Sequence, residues 1–130
     1  LKNLIGLEIK RKYDKEGRGT LSYVEYEDLR FQPERMYYIT NVPKGEVRGQ
    51  HGHYEDQQYL ICVKGQVRTT LISKEGETTT ILNPGDTVFM DRMVWGEQEY
   101  MTGEDILLVL CSTSYNPDDY ITDVNEILND

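Results

Sequence analysis

A chain of 130 residues has the size of a single domain, and 38% hydrophobic with 28% charged residues excludes both a disordered polymer and a fibrous one. Fourteen Lys and Arg against 23 Asp and Glu leave a net charge of −9, which repels polyanions and argues against nucleic acid as a partner. The longest apolar run, Ile106–Cys111, is far shorter than the ~20 residues of a membrane-spanning helix, so no membrane partner is expected.

In chain order, residues 1–5 (Leu-Lys-Asn-Leu-Ile) lack the apolar core of a secretion signal, and a cytoplasmic protein is expected. Turn signals rich in Gly, Pro, Asn and Asp then recur at 15–19, 42–45, 63–65, 74–77, 83–86 and 101–104. Between them, residues 20–26, 35–40, 57–63, 66–73, 78–82, 87–90 and 105–112 are rich in Tyr, Val, Ile, Thr and Leu and read as strands. Alternation of apolar and polar residues at 21–26 and 67–72 gives several of them one wet face. Cys62 and Cys111 lie inside apolar stretches and read as buried reduced thiols. Only the tail breaks the pattern. Asn116 as cap and Pro117 at the first helical position, followed by apolar Tyr120, Ile121, Val124, Ile127 and Leu128, predict one short C-terminal helix. The expected fold is therefore all-β, a sandwich or barrel of antiparallel strands over residues 1–130 as one domain, with no nucleotide-binding glycine loop of the Rossmann or P-loop kind.

The chemistry concentrates in Arg48-Gly49-Gln50-His51-Gly52-His53, which holds both histidines of the chain. Positions two apart in a strand share a face, so the two imidazoles project together. The spacing resembles the first cupin motif, with Gly45, His51, His53, Gln58 in place of a Glu, and Gly65. The second cupin motif keeps its spacing from Gly85 to Gly96 but has Asp91, Met93 and Gly96 where Pro, Gly and His belong. Of the three histidines and one glutamate of a metal-binding cupin, two ligands are therefore missing, and no metal is expected. The remaining histidines are available for proton transfer near neutral pH.

Further blocks resemble one family over nearly the whole chain, the sugar 3,4-ketoisomerases or WxcM-like cupins. Arg35-Met36-Tyr37-Tyr38-Ile39 is similar to that family's Arg-x-Tyr-Tyr-Ile. Residues 48–53 match its Arg-Gly-x-His-Ala-His, and residues 58–65 its Gln-x-Leu-x-Cys-x-x-Gly. Met93-Val94-Trp95-Gly96 resembles Met-Val-Trp-His, and residues 108–112 with Asp119-Tyr120-Ile121 resemble the closing segments. The resemblance implies a cupin jelly roll, a homodimer that exchanges its N-terminal strands, and conversion of a thymidine diphosphate (TDP) 4-keto-6-deoxyhexose to its 3-keto isomer without metal or cofactor. It implies His51 as the principal base, His53 as its partner in proton transfer and Tyr37 as a hydroxyl near the reacting carbons. Arg35 and Arg48 would hold the diphosphate or polarise the carbonyl. By their own chemistry, Gln58 suits a hydrogen bond to the histidine pair or ligand, and Trp95 suits either stacking on base or sugar or packing in the core or at a dimer interface.

Two departures stand out: Gly96 replaces the family histidine after the Trp, and Tyr54 replaces a lysine after the second motif histidine. Alternatives from the same residues are a 3,5-epimerase of the same keto sugar and a cupin that binds a sugar nucleotide without turning it over.

Overall fold

A computed structural model describes residues 11–14 and 16–130, with side chains from residue 16 onward; residues 1–5 and Lys15 of the first turn lie outside the described residues. Among the described residues, strands β1 (Arg11–Asp14) and β2 (Thr20–Tyr23) pair with each other and with no other strand. The remaining strands form two antiparallel sheets. One has the order β3 (Arg35–Ile39), β10 (Ile106–Cys111), β5 (Gln58–Lys64) and β8 (Thr87–Met90). The other has the order β11 (Tyr120–Ile121), β4 (Val47–His53), β9 (Trp95–Tyr100), β6 (Val67–Ser73) and β7 (Gly76–Leu82). Within these two sheets, among the described residues, only β6 and β7 are both adjacent and consecutive, joined across Lys74 and Glu75 by the Ser73–Gly76 pair. Every other partner is reached by a crossover between sheets, which is the jelly-roll arrangement.

Burial explains why the strands read as they do. β10 is apolar at every position because it is covered on both faces. Leu107, Val109 and Cys111 join Leu60, Cys62, Val67, Leu71, Val88 and Tyr100 between the sheets, while Leu108 and Leu110 turn outward under Val24, Leu29 and Phe31. Each fully buried Leu or Val contributes about 1.5–3 kcal/mol, so this strand alone anchors much of the four-stranded sheet. On the far side, Trp95, Ile121 and Ile127 close the outer face of the five-stranded sheet. Cys62 and Cys111 are free, buried thiols, and burial pushes both up to about 11.

The structure adds two strands not expected from the sequence, β1 and β9, and redraws two of the expected elements. β2 ends at Tyr23, and Tyr26–Asp28 forms a single 3₁₀ turn that brings the chain over the sheet face. The tail is not one helix from 117. Asn116 does cap a turn, accepting from the Asp118 amide, but the turn is only Pro117–Asp119; Tyr120 and Ile121 then pair with His53 and Gly52 as β11, and the helix α1 is Asn125–Leu128. Tyr120 faces the interior and Ile121 the outer cluster, an alternation that a helix cannot give and a strand requires. Among the described residues no helix is long and apolar enough to cross a membrane.

Candidate active site

The two sheets part at one end around a cavity of about 340 Å³. The five-stranded sheet lines it with Arg48, His51, Gln98 and Tyr120, all polar. The four-stranded sheet contributes Arg35, Tyr37 and Gln58 at one end and an apolar floor of Ile39, Leu60, Met90, Leu107 and Val109. Tyr115, 64% exposed, stands beside the Arg35 guanidinium, which lies 5.7 Å from its ring centroid.

Arg48 and His51 are three residues apart and would face opposite ways in a regular strand. They share the cavity because β4 carries a bulge. Arg48 pairs with Gln98 and His51 with Gly96, leaving Gln50 without a partner, and both Gly49 (φ +87°) and Gln50 (φ +58°) take left-handed backbone conformations. The Arg-Gly-x-His run is thus the sequence of a bulge that re-aims an arginine towards a histidine. A Cβ on Gly49 would come within 2.7 Å of Gln98 Oε1 and 2.9 Å of the Gly96 carbonyl oxygen, so glycine is required there sterically as well.

His51 and His53 do point to the same side, with ring centroids 5.1 Å apart and planes nearly perpendicular. Their situations differ. His51 lines the cavity, and burial with the neighbouring imidazole pulls its pKa from 6.5 down to about 4, so that it is a neutral base at pH 7. His53 does not line the cavity; it is 2% exposed, with Nδ1 3.3 Å from Asp119 Oδ2 and Nε2 3.4 Å from Gln58 Nε2. The expectation that His53 hands protons directly to a ligand therefore meets a geometric obstacle: both ring nitrogens face protein groups. Tyr120 packs against both imidazoles, at centroid distances of 5.0 Å and 4.6 Å.

Tyr37 is held as the protonated phenol. Burial drives its pKa up beyond the ordinary range, helped by Cys111 and Tyr120 and opposed by Arg35. Its ring lies 5.5 Å below the Arg35 guanidinium. Arg35 stays charged: burial works against its charge, but Cys111 and Asp56 outweigh it, and its Nη2 reaches Asp56 Oδ2 at 3.4 Å. Gln58 donates to the same carboxylate oxygen at 2.9 Å.

Trp95, by contrast, is not part of the cavity. Along β9, Gly96, Gln98 and Tyr100 face inward, and Trp95 therefore faces outward, packed with Ile121 and Ile127 and donating from Nε1 to Glu97 Oε1 at 3.0 Å. The expected stacking role for Trp95 is corrected by this alternation. Tyr54 is likewise away from the cavity, donating its hydroxyl to Glu126 at 2.7 Å.

Gly96 sits opposite His51, and the space of a missing side chain is taken: a Cβ there would lie 2.8 Å from Met90 Sδ and 3.0 Å from its Cε. The four positions of the cupin ligand set are thus His51, a His53 engaged by Asp119 and Gln58, a neutral amide at Gln58 and a glycine backed by a thioether. That donor set does not suit a tightly held divalent ion.

Sequence reading missed Asp56, Met90, Gln98, Tyr115, Asp119 and Tyr120. Asp119-Tyr120 lay within a recognised block, but the helical reading of the tail placed them on a helix surface rather than against β4.

A family model described as FdtA: WxcM-like, C-terminal, matches residues 3–130. A curated relative, TDP-4-oxo-6-deoxy-alpha-D-glucose-3,4-oxoisomerase of Aneurinibacillus thermoaerophilus, is 30% identical over 110 residues, 82% of this chain and 78% of the relative. Among solved structures, the sugar 3,4-ketoisomerase QdtA of Thermoanaerobacterium thermosaccharolyticum, in complex with TDP, aligns with a TM-score of 0.87 and 33% identity, covering 95% of this chain and 91% of QdtA. A 3,4-ketoisomerase of Helicobacter canadensis aligns with a TM-score of 0.83 and 31% identity, covering 94% and 95%.

Proposed function

The chain belongs to the FdtA family of WxcM-like domains, and from that premise we propose that it converts a TDP-4-keto-6-deoxyhexose to the 3-keto isomer by proton transfer through an enediolate. The observation that carries this assignment is the cavity-facing, neutral His51 opposite a wall holding Tyr37 and Arg35.

In the reaction, His51 takes the C3 proton, the electron pair moves toward the C4 carbonyl, and the enediolate forms. Tyr37, a phenol kept protonated, and the charged Arg35 donate to the oxygen on which negative charge develops. The proton held by His51 returns to the sugar at C4 and the C3 hydroxyl proton passes to the oxygen on C4, which leaves a ketone at C3, a hydroxyl at C4 and His51 neutral again, so atoms and charge balance without any external oxidant. A positioned base is worth roughly 10² to 10⁴ in rate. Arg48, beside His51 by virtue of the bulge, and Arg35 are suited to the diphosphate, because guanidinium contacts are local and tolerate the net charge of −9. His53 backs His51 from the buried side. The donor set at the cupin ligand positions supports a reaction that needs no metal.

We further assign the protein to the cytoplasm and to the making of deoxy or amino sugars for bacterial surface glycans, as a homodimer that exchanges N-terminal strands. Support for the dimer is the outer face of the four-stranded sheet. There Met36 and Tyr38 are 53% and 64% exposed, and a groove of about 660 Å³ runs between that face and the β2 segment. Among the described residues β1 and β2 form a two-stranded ribbon, and such a ribbon is marginal in water unless a further surface covers it.

Incubation with TDP-4-keto-6-deoxyglucose, followed by carbon NMR of the ring, tests the assignment. A carbonyl that migrates from C4 to C3 supports it. Inversion at C3 and C5 with the carbonyl still at C4 would make the protein an epimerase, and binding in calorimetry with an unchanged sugar would make it a non-catalytic carrier.

A further inference from the structure

Asp119 does not line the cavity and yet ties together three parts of the site's framework. It ends the turn capped by Asn116 and is 8% exposed. Its Oδ1 accepts from the Glu55 amide at 2.8 Å; its Oδ2 accepts from the Asp56 amide at 3.1 Å and lies 3.3 Å from His53 Nδ1. On the other edge of the ring, His53 Nε2 lies 3.4 Å from Gln58 Nε2.

These contacts decide the tautomer of His53. The Gln58 amide is oriented by Asp56, because its nitrogen is the end that donates to that carboxylate, at 2.9 Å; the reverse orientation would set a carbonyl oxygen against a carboxylate. An amide nitrogen only donates, so the ring nitrogen it faces must be the one with the lone pair. The proton then sits on Nδ1, facing Asp119. The Nδ1 hydrogen is not aligned well enough for a full hydrogen bond, so the hold is charge on dipole at short range.

We propose that Asp119 is a positioning residue: with Gln58 it clamps His53 as the neutral Nδ1–H tautomer, and this fixed ring sets the orientation of His51 and Tyr120, which pack against it. Charged or titratable groups reach the ring from every element around it. These are His51 on its own strand, Asp56 before β5, Asp119 before β11, Tyr120 on β11, Arg35 on β3, and Cys111 on β10 behind Gln58. Burial holds the ring neutral, with Arg35 in support and Asp56 and Asp119 opposing. Protonation at Nε2 would set two donors face to face, so His53 carries no proton to the ligand while Gln58 keeps this orientation.

The test is nitrogen NMR of the full chain labelled at histidine, with Asp119→Asn as the variant. In the wild type, His53 is expected to show a protonated Nδ1 and an unprotonated Nε2 at pH 8. In Asp119→Asn, whose carbonyl oxygen still accepts from the Glu55 amide, the tautomers are expected to mix. Its kcat falls at least ~10-fold with KM within about twofold, because a displacement near 1 Å costs a reacting group up to ~10²-fold. A wild-type ring protonated at Nε2 would overturn the proposal even if the variant failed to fold. So would a variant that loses activity with the Nδ1–H tautomer intact, since Asp119 would then serve only the fold. The kinetic arm rests on the ketoisomerase assignment; the spectra do not, so absence of turnover in the wild type would leave the clamp decided by the tautomer alone.

Discussion

The two walls of the cavity are built from sheets of one sandwich but differ in kind. The five-stranded sheet presents Arg48, His51, Gln98 and Tyr120, whereas most of the four-stranded wall is Ile39, Leu60, Met90, Leu107 and Val109, continuous with the core. Each wall has one irregularity: in the first it is the Gly49–Gln50 bulge, between Arg48 and His51, and in the second a register shift between β10 and β5 at Ile106 and Leu107, at the apolar end of β10 away from Arg35 and Gln58. The difference lies in what each irregularity re-aims: the bulge brings an arginine beside a histidine, whereas the shift at Leu107 moves only apolar backing, and Tyr37, Arg35 and Gln58 stand at the other end of that wall.

Removing the base on the polar wall should have the largest effect. His51→Asn is expected to lower kcat by roughly 10³-fold or more with KM nearly unchanged, since the smaller amide keeps a polar group on the wall but accepts no proton; steady-state kinetics with the sugar nucleotide checks it. Next is Tyr37→Phe, at the rim of the opposite wall. Loss of a single hydrogen-bond donor to developing charge is expected to cost about 10²-fold in kcat without lowering the melting temperature. If Tyr37→Phe cost more than His51→Asn, the division of labour between the walls would be reversed.

The bulge comes third. Gly49→Ala meets both a left-handed φ and the Gln98 side chain, so about 1–3 kcal/mol of stability should be lost in denaturant unfolding, with a rise in KM as Arg48 and His51 separate. A smaller effect is expected where the walls meet. Gly96→His restores the family's residue but drives its Cβ into Met90; combining it with Met90→Ala should recover most of the lost melting temperature.

The pH dependence is the mildest probe. Because His51 in the folded protein has a pKa near 4 against 6.5 unfolded, the unfolded chain takes up the proton first as pH falls. Stability present above pH 6.5 should therefore decline between about pH 6.5 and 4. The acid limb of kcat/KM contributed by this base should lie near pH 4, not 6.5.

The strands easiest to read from the sequence were those of the apolar wall. β10 is apolar throughout because both its faces are covered, and β5 and β8 carry long apolar runs for the same reason. β9 gave no such signal. Its inward residues are Gly96, Gln98 and Tyr100, of which Gln98 lines the cavity, Gly96 has no side chain and only Tyr100 joins the core, so the alternation that betrays a strand is muted. β4 was found by its histidines rather than by its pattern. Tyr120 and Asp119 escaped notice because apolar residues at 120, 121, 124, 127 and 128 fit a helical stripe equally well. Only pairing with β4 separates Tyr120 from Ile121. Trp95 was assigned to the ligand by its neighbours in a motif, yet one step of strand alternation places it on the outside.

The most direct measurement is the exchange of the sugar's ring protons with solvent. With TDP-4-keto-6-deoxyglucose in D₂O, wild-type protein should erase the C3 proton signal as the 3-keto species appears, while His51→Asn leaves that signal in place. A C3 proton that persists with the wild type, or one that His51→Asn still removes at the wild-type rate, would contradict His51 as the base of a 3,4-ketoisomerase.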